Sequence, residues 1–198
     1  MSEFYFGNRF LSREEMTVNA KYIYRYLSAR GWSINAICAM LGNMETESTL
    51  NPAIWQNLDE GNTSLGYGLV QWTPATKYLE WCSENSLDDE HMDSALKRIE
   101  YELENGLQWI ATDTYPLTFA EFKTSTLNIT YLANAFLRNY ERPADQTQPA
   151  RGEQALAWYE VLKGNSGSVG GSGTDTQTPT KQKKMPLWLL IAATRRKR

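Results

Sequence analysis

Apolar residues recur at helical spacing from residue 12 to about residue 30. Ser12, followed three residues later by Glu15, has the pattern of a helix-capping box, and Gly31 ends the periodic stretch. The segment therefore predicts an amphipathic helix whose apolar face is formed by Met16, Ala20, Ile23, Tyr24 and Leu27.

A second apolar stripe follows directly and carries Ile37, Leu41 and Met44. Ser33 is placed to cap this helix, and the Asn-Pro pair at residues 51–52 should end it, because proline cannot continue a helix. Weaker periodicity predicts further helices near residues 75–85, 90–105, 118–123, 126–140 and 150–162.

Between the second and third helices the pattern changes. The stretch "NLDEGNTSLGYG" (residues 57–68) is rich in turn formers and predicts a loop. "YGLVQW" (residues 67–72) alternates and predicts a short strand. The expected fold class is α+β, mostly α, with one small β element.

The composition changes at residue 164. Residues 164–184 are rich in Gly, Ser and Thr and have too little apolar surface to fold, which predicts a flexible linker. Residues 185–198 form a short apolar-basic tail whose apolar run is far below the ~20 residues that a membrane span needs. The predicted organisation is a domain at 1–163, a linker at 164–184 and a tail at 185–198.

Charge is distributed unevenly. Residues 164–198 contain seven basic residues and one acidic residue, which leaves thirteen basic and 22 acidic residues in 1–163. The domain is therefore acidic, which argues against nucleic acid as its substrate. One histidine and two cysteines are too few to suggest a zinc site, and the N-terminus lacks the apolar core of a signal peptide.

Two glutamates stand close together in "METESTLNP" (residues 44–52). On a helix, Glu45 and Glu47 point about 160° apart, so they cannot share one site as a neighbouring pair. Each flanks the apolar stripe, and periodicity alone does not distinguish a functional carboxylate from a solvated one.

The surrounding motifs carry a family resemblance. "ESTLNP" (47–52) followed by "GYGLVQWTP" (66–74) resembles the lysozyme-like superfamily, in particular goose-type lysozymes and lytic transglycosylases. With "YERP" (140–143) and "RGEQALAWY" (151–159), the chain resembles the tail-knob lysozymes of short-tailed phages of Gram-positive bacteria. The resemblance extends over roughly residues 8–163.

This resemblance implies a lysozyme-like fold and a muramidase that cleaves the MurNAc-GlcNAc bond of peptidoglycan, without a cofactor. Glu47 occupies the motif's catalytic position and is expected to act as general acid, whereas Glu45 is expected to be a helix-surface acid. Glycosidic cleavage needs a protonated donor, and a carboxyl in an aromatic-lined cleft can have its pKa raised by desolvation.

Other site residues are expected around Glu47. Asp59, or its neighbour Glu60, could supply a base or nucleophile, although both also fit a solvated turn. The resemblance implies a cleft role for Gln71 and a hydrogen bond from Tyr140 near the catalytic glutamate. Trp55, Tyr67 and Trp72 are candidates for cleft walls, with ordinary core packing as the alternative.

Two alternative functions are also compatible with the sequence: a lytic transglycosylase with the same site, and a non-catalytic tail module. The expected partners of the domain are peptidoglycan glycan strands. Residues 185–198 are expected to bind other phage tail proteins, and a membrane surface is the alternative partner for this segment. The expected location is the tail tip of a virion.

Overall fold

The computed structural model describes residues 3–165, which are mostly helical and contain almost no strand. Seven α-helices lie within about two residues of the predicted segments, apart from the sixth, which is shorter. They are α1 (Arg13–Ser28), α2 (Ile34–Ser48), α3 (Thr76–Glu84), α4 (Met92–Glu104), α5 (Phe119–Thr124), α6 (Ile129–Phe136) and α7 (Pro149–Leu162). A π-helical turn, Leu137–Glu141, extends α6 to the end of the predicted segment.

The predicted helix starts have the expected caps. The Ser12 side chain accepts a hydrogen bond from the Glu15 backbone N–H, and the Glu15 carboxylate accepts one from the Ser12 N–H. Ser33 likewise accepts from the Ala36 N–H at the start of α2. These bonds satisfy N–H groups that the first helical turn leaves unpaired.

The β element is smaller than the strand that the sequence predicted. Tyr67 forms isolated antiparallel bridges to Trp55 and to Trp72, and no strand extends beyond them. The backbone reverses between the bridged residues, where Gly68 and Gln71 have positive φ values of 80° and 52°. Because this tight turn occupies most of residues 67–72, no length remains for a strand.

Helix α2 is the centre of the fold. Its residues 36–44 are all buried, and it packs against α1, α5, α6 and α7. A helix that is buried on every side belongs to the interior of a domain. The functional consequence is that its C-terminal end, which carries Glu47, has a rigid support.

The tightest packing joins α2 to α7 at Gly42. A Cβ atom on Gly42 would lie 2.3 Å from the Arg151 carbonyl oxygen and 2.7 Å from the Ala155 nitrogen. These neighbours are backbone atoms, so the helices themselves would have to separate.

Gly42→Ala is therefore expected to destabilise the fold by roughly 1–3 kcal/mol, the usual cost of overpacking. Thermal unfolding checks this result, and the expected fall in melting temperature is several degrees. Gly164→Ala is the control, because a Cβ there meets nothing within 4 Å. Equal melting temperatures for the two variants would contradict the close approach of α2 and α7.

None of the helices within residues 3–165 is both long enough and apolar enough to span a membrane. The predicted tail at 185–198 lies outside the described part of the chain. The same holds for the predicted linker at 164–184, except for residues 164 and 165.

Candidate active site

A cavity of about 430 Å³ opens beside the C-terminal end of α2. Glu47 lines it from α2, and residues 70–73 line it from the tight turn. Glu102 of α4, together with Tyr140 and Glu141 of the π-helical turn, also contributes to its wall. The cavity therefore contains three carboxyl groups from parts of the chain that are distant in sequence.

The "ESTLNP" segment holds the end of α2 in place through its polar side chains. The Ser48 hydroxyl donates to the Leu69 carbonyl at 2.9 Å and so joins the helix to the turn at 68–71. The Asn51 amide donates to the carbonyls of Gly7 and Arg9, both at 2.7 Å. Glu47 is thereby presented at a fixed place beside the cavity.

Glu47 forms an ion pair with Arg151 of α7 through Oε1 and Nη2. The Arg151 side chain is only 4% exposed and that of Glu47 is 22% exposed. Arg151 is oriented by further bonds from Nη1 to Asn43 Oδ1 at 3.1 Å and from Nε to Gln148 Oε1 at 2.7 Å. The immediate neighbour of Glu47 is therefore a buried cation, where the sequence led us to expect aromatic walls.

Glu102 is the centre of a buried hydrogen-bond network. Its carboxylate accepts from Trp72 Nε1 at 3.1 Å, from the Tyr140 hydroxyl at 2.7 Å and from Arg98 Nε at 2.9 Å. Burial, and then the negative charge of Glu102, raise the pKa of Tyr140 well above its ordinary value. Tyr140 therefore remains a hydrogen-bond donor at neutral pH.

Glu141 follows Tyr140 and lines the same cavity. The bond from the Arg142 N–H to the Leu137 carbonyl, 2.8 Å long, closes the wide π-helical turn, and such turns are frequent at functional sites. Glu141 Oε1 is buried and has no hydrogen-bond partner. Burial, and then the charge of Glu47, raise the pKa of Glu141 well above its ordinary value.

Three of the predicted substrate-binding residues line the cavity together with Glu47: Gln71, Trp72 and Tyr140. The Gln71 amide donates to the carbonyls of Ile54 at 3.2 Å and Gly68 at 3.0 Å, which holds the turn closed. The Tyr140 hydroxyl donates to Glu102, and both residues line the cavity that Glu47 lines.

Trp55 and Tyr67 do not line this cavity. Their rings pack against each other with centroids 4.7 Å apart, and the Tyr67 hydroxyl donates to Asp89 at 3.2 Å. Tyr67 is 1% exposed, so it belongs to the core, whereas Trp55 is half-buried. A glycan-binding role for either residue stays a prediction.

The acidic residues of the loop also lie outside the cavity wall. Asp59 and Glu60 are exposed, and the Asp59 carboxylate accepts a hydrogen bond from Asn62 Nδ2 at 2.8 Å. Glu45 forms an ion pair with Arg13 at 3.1 Å and does not line the cavity. Only Glu47 of these four predicted acids lies in the cavity wall.

Four charged residues of the site were not among those predicted from the sequence: Lys77, Glu102, Glu141 and Arg151. The i,i+4 spacing of Arg98 and Glu102 is typical of an ion pair on a helix and gives no sign of the cavity. Glu141 and Arg151 stand inside motifs that carried the resemblance, but nothing local connects them with Glu47.

The arrangement is suited to proton transfer onto a polar, uncharged molecule. A carboxylate, a carboxyl group with a raised pKa and a fixed arginine lie around one solvent-accessible cavity. Carboxyl groups placed in this way can give and accept protons, as acid-catalysed cleavage of a glycosidic bond requires.

The chain belongs to the phage tail lysozyme family, whose sequence profile matches residues 18–162. The resemblance inferred from the motifs is thereby confirmed. Among individual proteins, Morphogenesis protein 1 of Bacillus phage B103 is 60% identical over 167 residues. The aligned stretch covers 84% of this chain and 45% of that relative, so the chain spans about half of the relative's length.

Proposed function

We propose that this protein is a peptidoglycan muramidase of a phage tail, which cleaves the MurNAc-GlcNAc bond and opens the host cell wall during genome entry. The observation that carries the proposal is the position of Glu47. It stands at the end of α2 in "ESTLNP" and lines a cavity that Gln71 and Trp72 of the second motif also line.

In the proposed reaction the glycan enters the cavity and Glu47 donates a proton to the glycosidic oxygen. The bond from the anomeric carbon to that oxygen breaks, and the developing positive charge on the sugar lies close to carboxylates. Water adds to the anomeric carbon and loses a proton, which leaves a reducing MurNAc end. Proton delivery of this kind contributes roughly 10²–10⁴ to the rate.

Asp59 remains the proposed base or nucleophile, and its position outside the cavity wall makes a direct test important. If Asp59 acts in catalysis, we expect Asp59→Asn to lose activity on the scale of Glu47→Gln. Glu60→Gln, at the adjacent exposed position, should be much milder. Cleavage rates on soluble glycan fragments measure both variants. Wild-type activity of Asp59→Asn would contradict the assignment and favour a single-glutamate mechanism.

Incubation of purified sacculi with the protein tests the proposed activity. Mass analysis of the released muropeptides should show reducing MurNAc ends. Anhydro ends would identify a lytic transglycosylase with the same site, and an absence of soluble products would favour a non-catalytic tail module. The proposal therefore has a chemically distinct outcome from each alternative.

The proposed location is the virion, at the tail tip, and the proposed partners are glycan strands and other tail proteins. Support comes from family membership and from the phage B103 relative, which is named a morphogenesis protein. Docking through residues 185–198 remains a prediction about a segment outside the described residues.

A further inference from the structure

Glu141 is the one carboxyl group among the three in the cavity wall whose side chain has a buried oxygen without a hydrogen-bond partner. Glu102 is paired with three donors and Glu47 with Arg151. An unpaired buried carboxylate is strongly unfavourable, whereas a neutral carboxyl group is tolerated far better. The geometry therefore favours a proton on Glu141.

The charges that face Glu141 come from every neighbouring element. Glu47 of α2 and Glu102 of α4 favour its neutral form. Arg151 of α7 and the adjacent Arg142 oppose them but are outweighed by burial. Both glutamates line the same cavity, so Glu47 is a neighbouring carboxyl group for a proton on Glu141.

Glu47 has the opposite surroundings. Its carboxylate forms an ion pair with the buried Arg151. A general acid must nevertheless carry a proton when the glycosidic oxygen leaves. The proton is therefore favoured on Glu141, whereas the proposed reaction needs it on Glu47.

We infer that Glu141 is the positioning partner of Glu47 in proton delivery: the two carboxyl groups share one proton, which rests on Glu141 and passes to Glu47 when glycan occupies the cavity. This inference rests on the proposed role of Glu47 as general acid.

The transfer balances in protons and charge. The O–H bond of Glu141 breaks as an O–H bond forms on Glu47, and the pair keeps a single negative charge. Glu47 then gives this proton to the leaving oxygen. The attacking water releases one proton, directly or by way of the proposed base Asp59, and this proton restores the carboxyl group of Glu141, so no other reactant is needed.

Glu141→Gln tests the inference because glutamine is neutral, has a similar shape and cannot pass on a carboxyl proton. The assay measures kcat/KM on soluble, peptide-free glycan oligosaccharides between pH 5 and pH 8. The variant should lose at least tenfold at neutral pH. It should recover as the pH falls, by up to about tenfold per unit, because Glu47 must then take its proton from solvent.

Two results would overturn the inference. An unchanged pH profile would mean that Glu141 acts only as a neutral packing group. A large loss that low pH does not restore would mean that Glu141 itself protonates the glycan. Glu104→Gln is the matched control, since Glu104 is exposed on α4 outside the cavity wall and should retain the wild-type profile.

Glu47→Gln, assayed in parallel, separates failure of this inference from failure of the proposed function. Loss of activity in Glu47→Gln with an unchanged Glu141→Gln rejects only the shared proton. Retention of activity in Glu47→Gln rejects the proposed acid, and the inference with it.

Protein stability gives a second readout that does not involve glycan. The folded chain keeps a proton on Glu141 that the unfolded chain loses above the ordinary glutamate pKa of about 4.3. Wild-type stability therefore falls as pH rises above that value, and Glu141→Gln lacks this contribution. The melting temperature of the variant relative to wild type should increase from pH 5 to pH 7. A constant difference would show that Glu141 is ionised in the folded chain and overturn the inference.

Discussion

Replacing Glu47 by glutamine is expected to reduce glycan cleavage by roughly 10²–10⁴-fold, the contribution of a general acid. Glutamine keeps an oxygen that can accept the hydrogen bond from Arg151, so the site should remain assembled. Release of reducing ends from soluble peptidoglycan fragments measures the loss. Circular dichroism and thermal unfolding at the same pH check that the variant is folded.

Glu45→Gln is the matched control for this prediction. Glu45 lies two residues earlier on α2, pairs with the largely exposed Arg13 and does not line the cavity. We expect it to keep most of the wild-type activity. An inactive Glu45→Gln beside an active Glu47→Gln would show that the motif has been assigned to the wrong glutamate.

Glu102→Ala is expected to destabilise the fold by about 3–5 kcal/mol, the cost of removing one partner from a buried ion pair. The substitution leaves Arg98, whose side chain is 12% exposed, without its carboxylate. It also leaves the Trp72 indole N–H and the Tyr140 hydroxyl without their acceptor. Because these two side chains line the cavity, glycan cleavage should fall as well.

Thermal unfolding measures this second prediction. For a domain of this size each kcal/mol corresponds to about 2–4 °C, so the expected loss is on the order of 10 °C. Glu104→Ala, two residues further along α4 and exposed, should change the free energy of unfolding by less than about 0.5 kcal/mol. Similar melting temperatures for the two variants would mean that the Glu102 network does not stabilise the protein.

Local sequence signals predicted the helices well. Ser12 and Ser33 cap the first two helices, and α2 ends before the Asn-Pro pair, as the pattern indicated. These features depend on residues within about four positions of each other, so they can be read from the chain directly. The strand predicted at 67–72 is not confirmed: the segment forms isolated bridges around a turn, and alternation does not reveal the positive φ values of that turn.

The cavity was only partly predictable. The motifs indicated Glu47, Gln71, Trp72 and Tyr140, which do line one cavity. Asp59, which was predicted from its place in the loop after Glu47, lies outside the cavity wall. A position near Glu47 in sequence does not determine on which side of the loop a side chain will lie.

The sequence by itself determined the helical character of the chain, the family and the glutamate that ends α2, because periodicity, caps and motifs are short-range properties. The tertiary structure alone decided that Arg151 pairs with Glu47, that Glu102 accepts from Trp72 and Tyr140, and that Glu141 shares their cavity. The physical reason is that charge interactions and burial depend on distance in space. Arg151, the ion-pair partner of Glu47, comes from α7 and is 104 residues away along the chain.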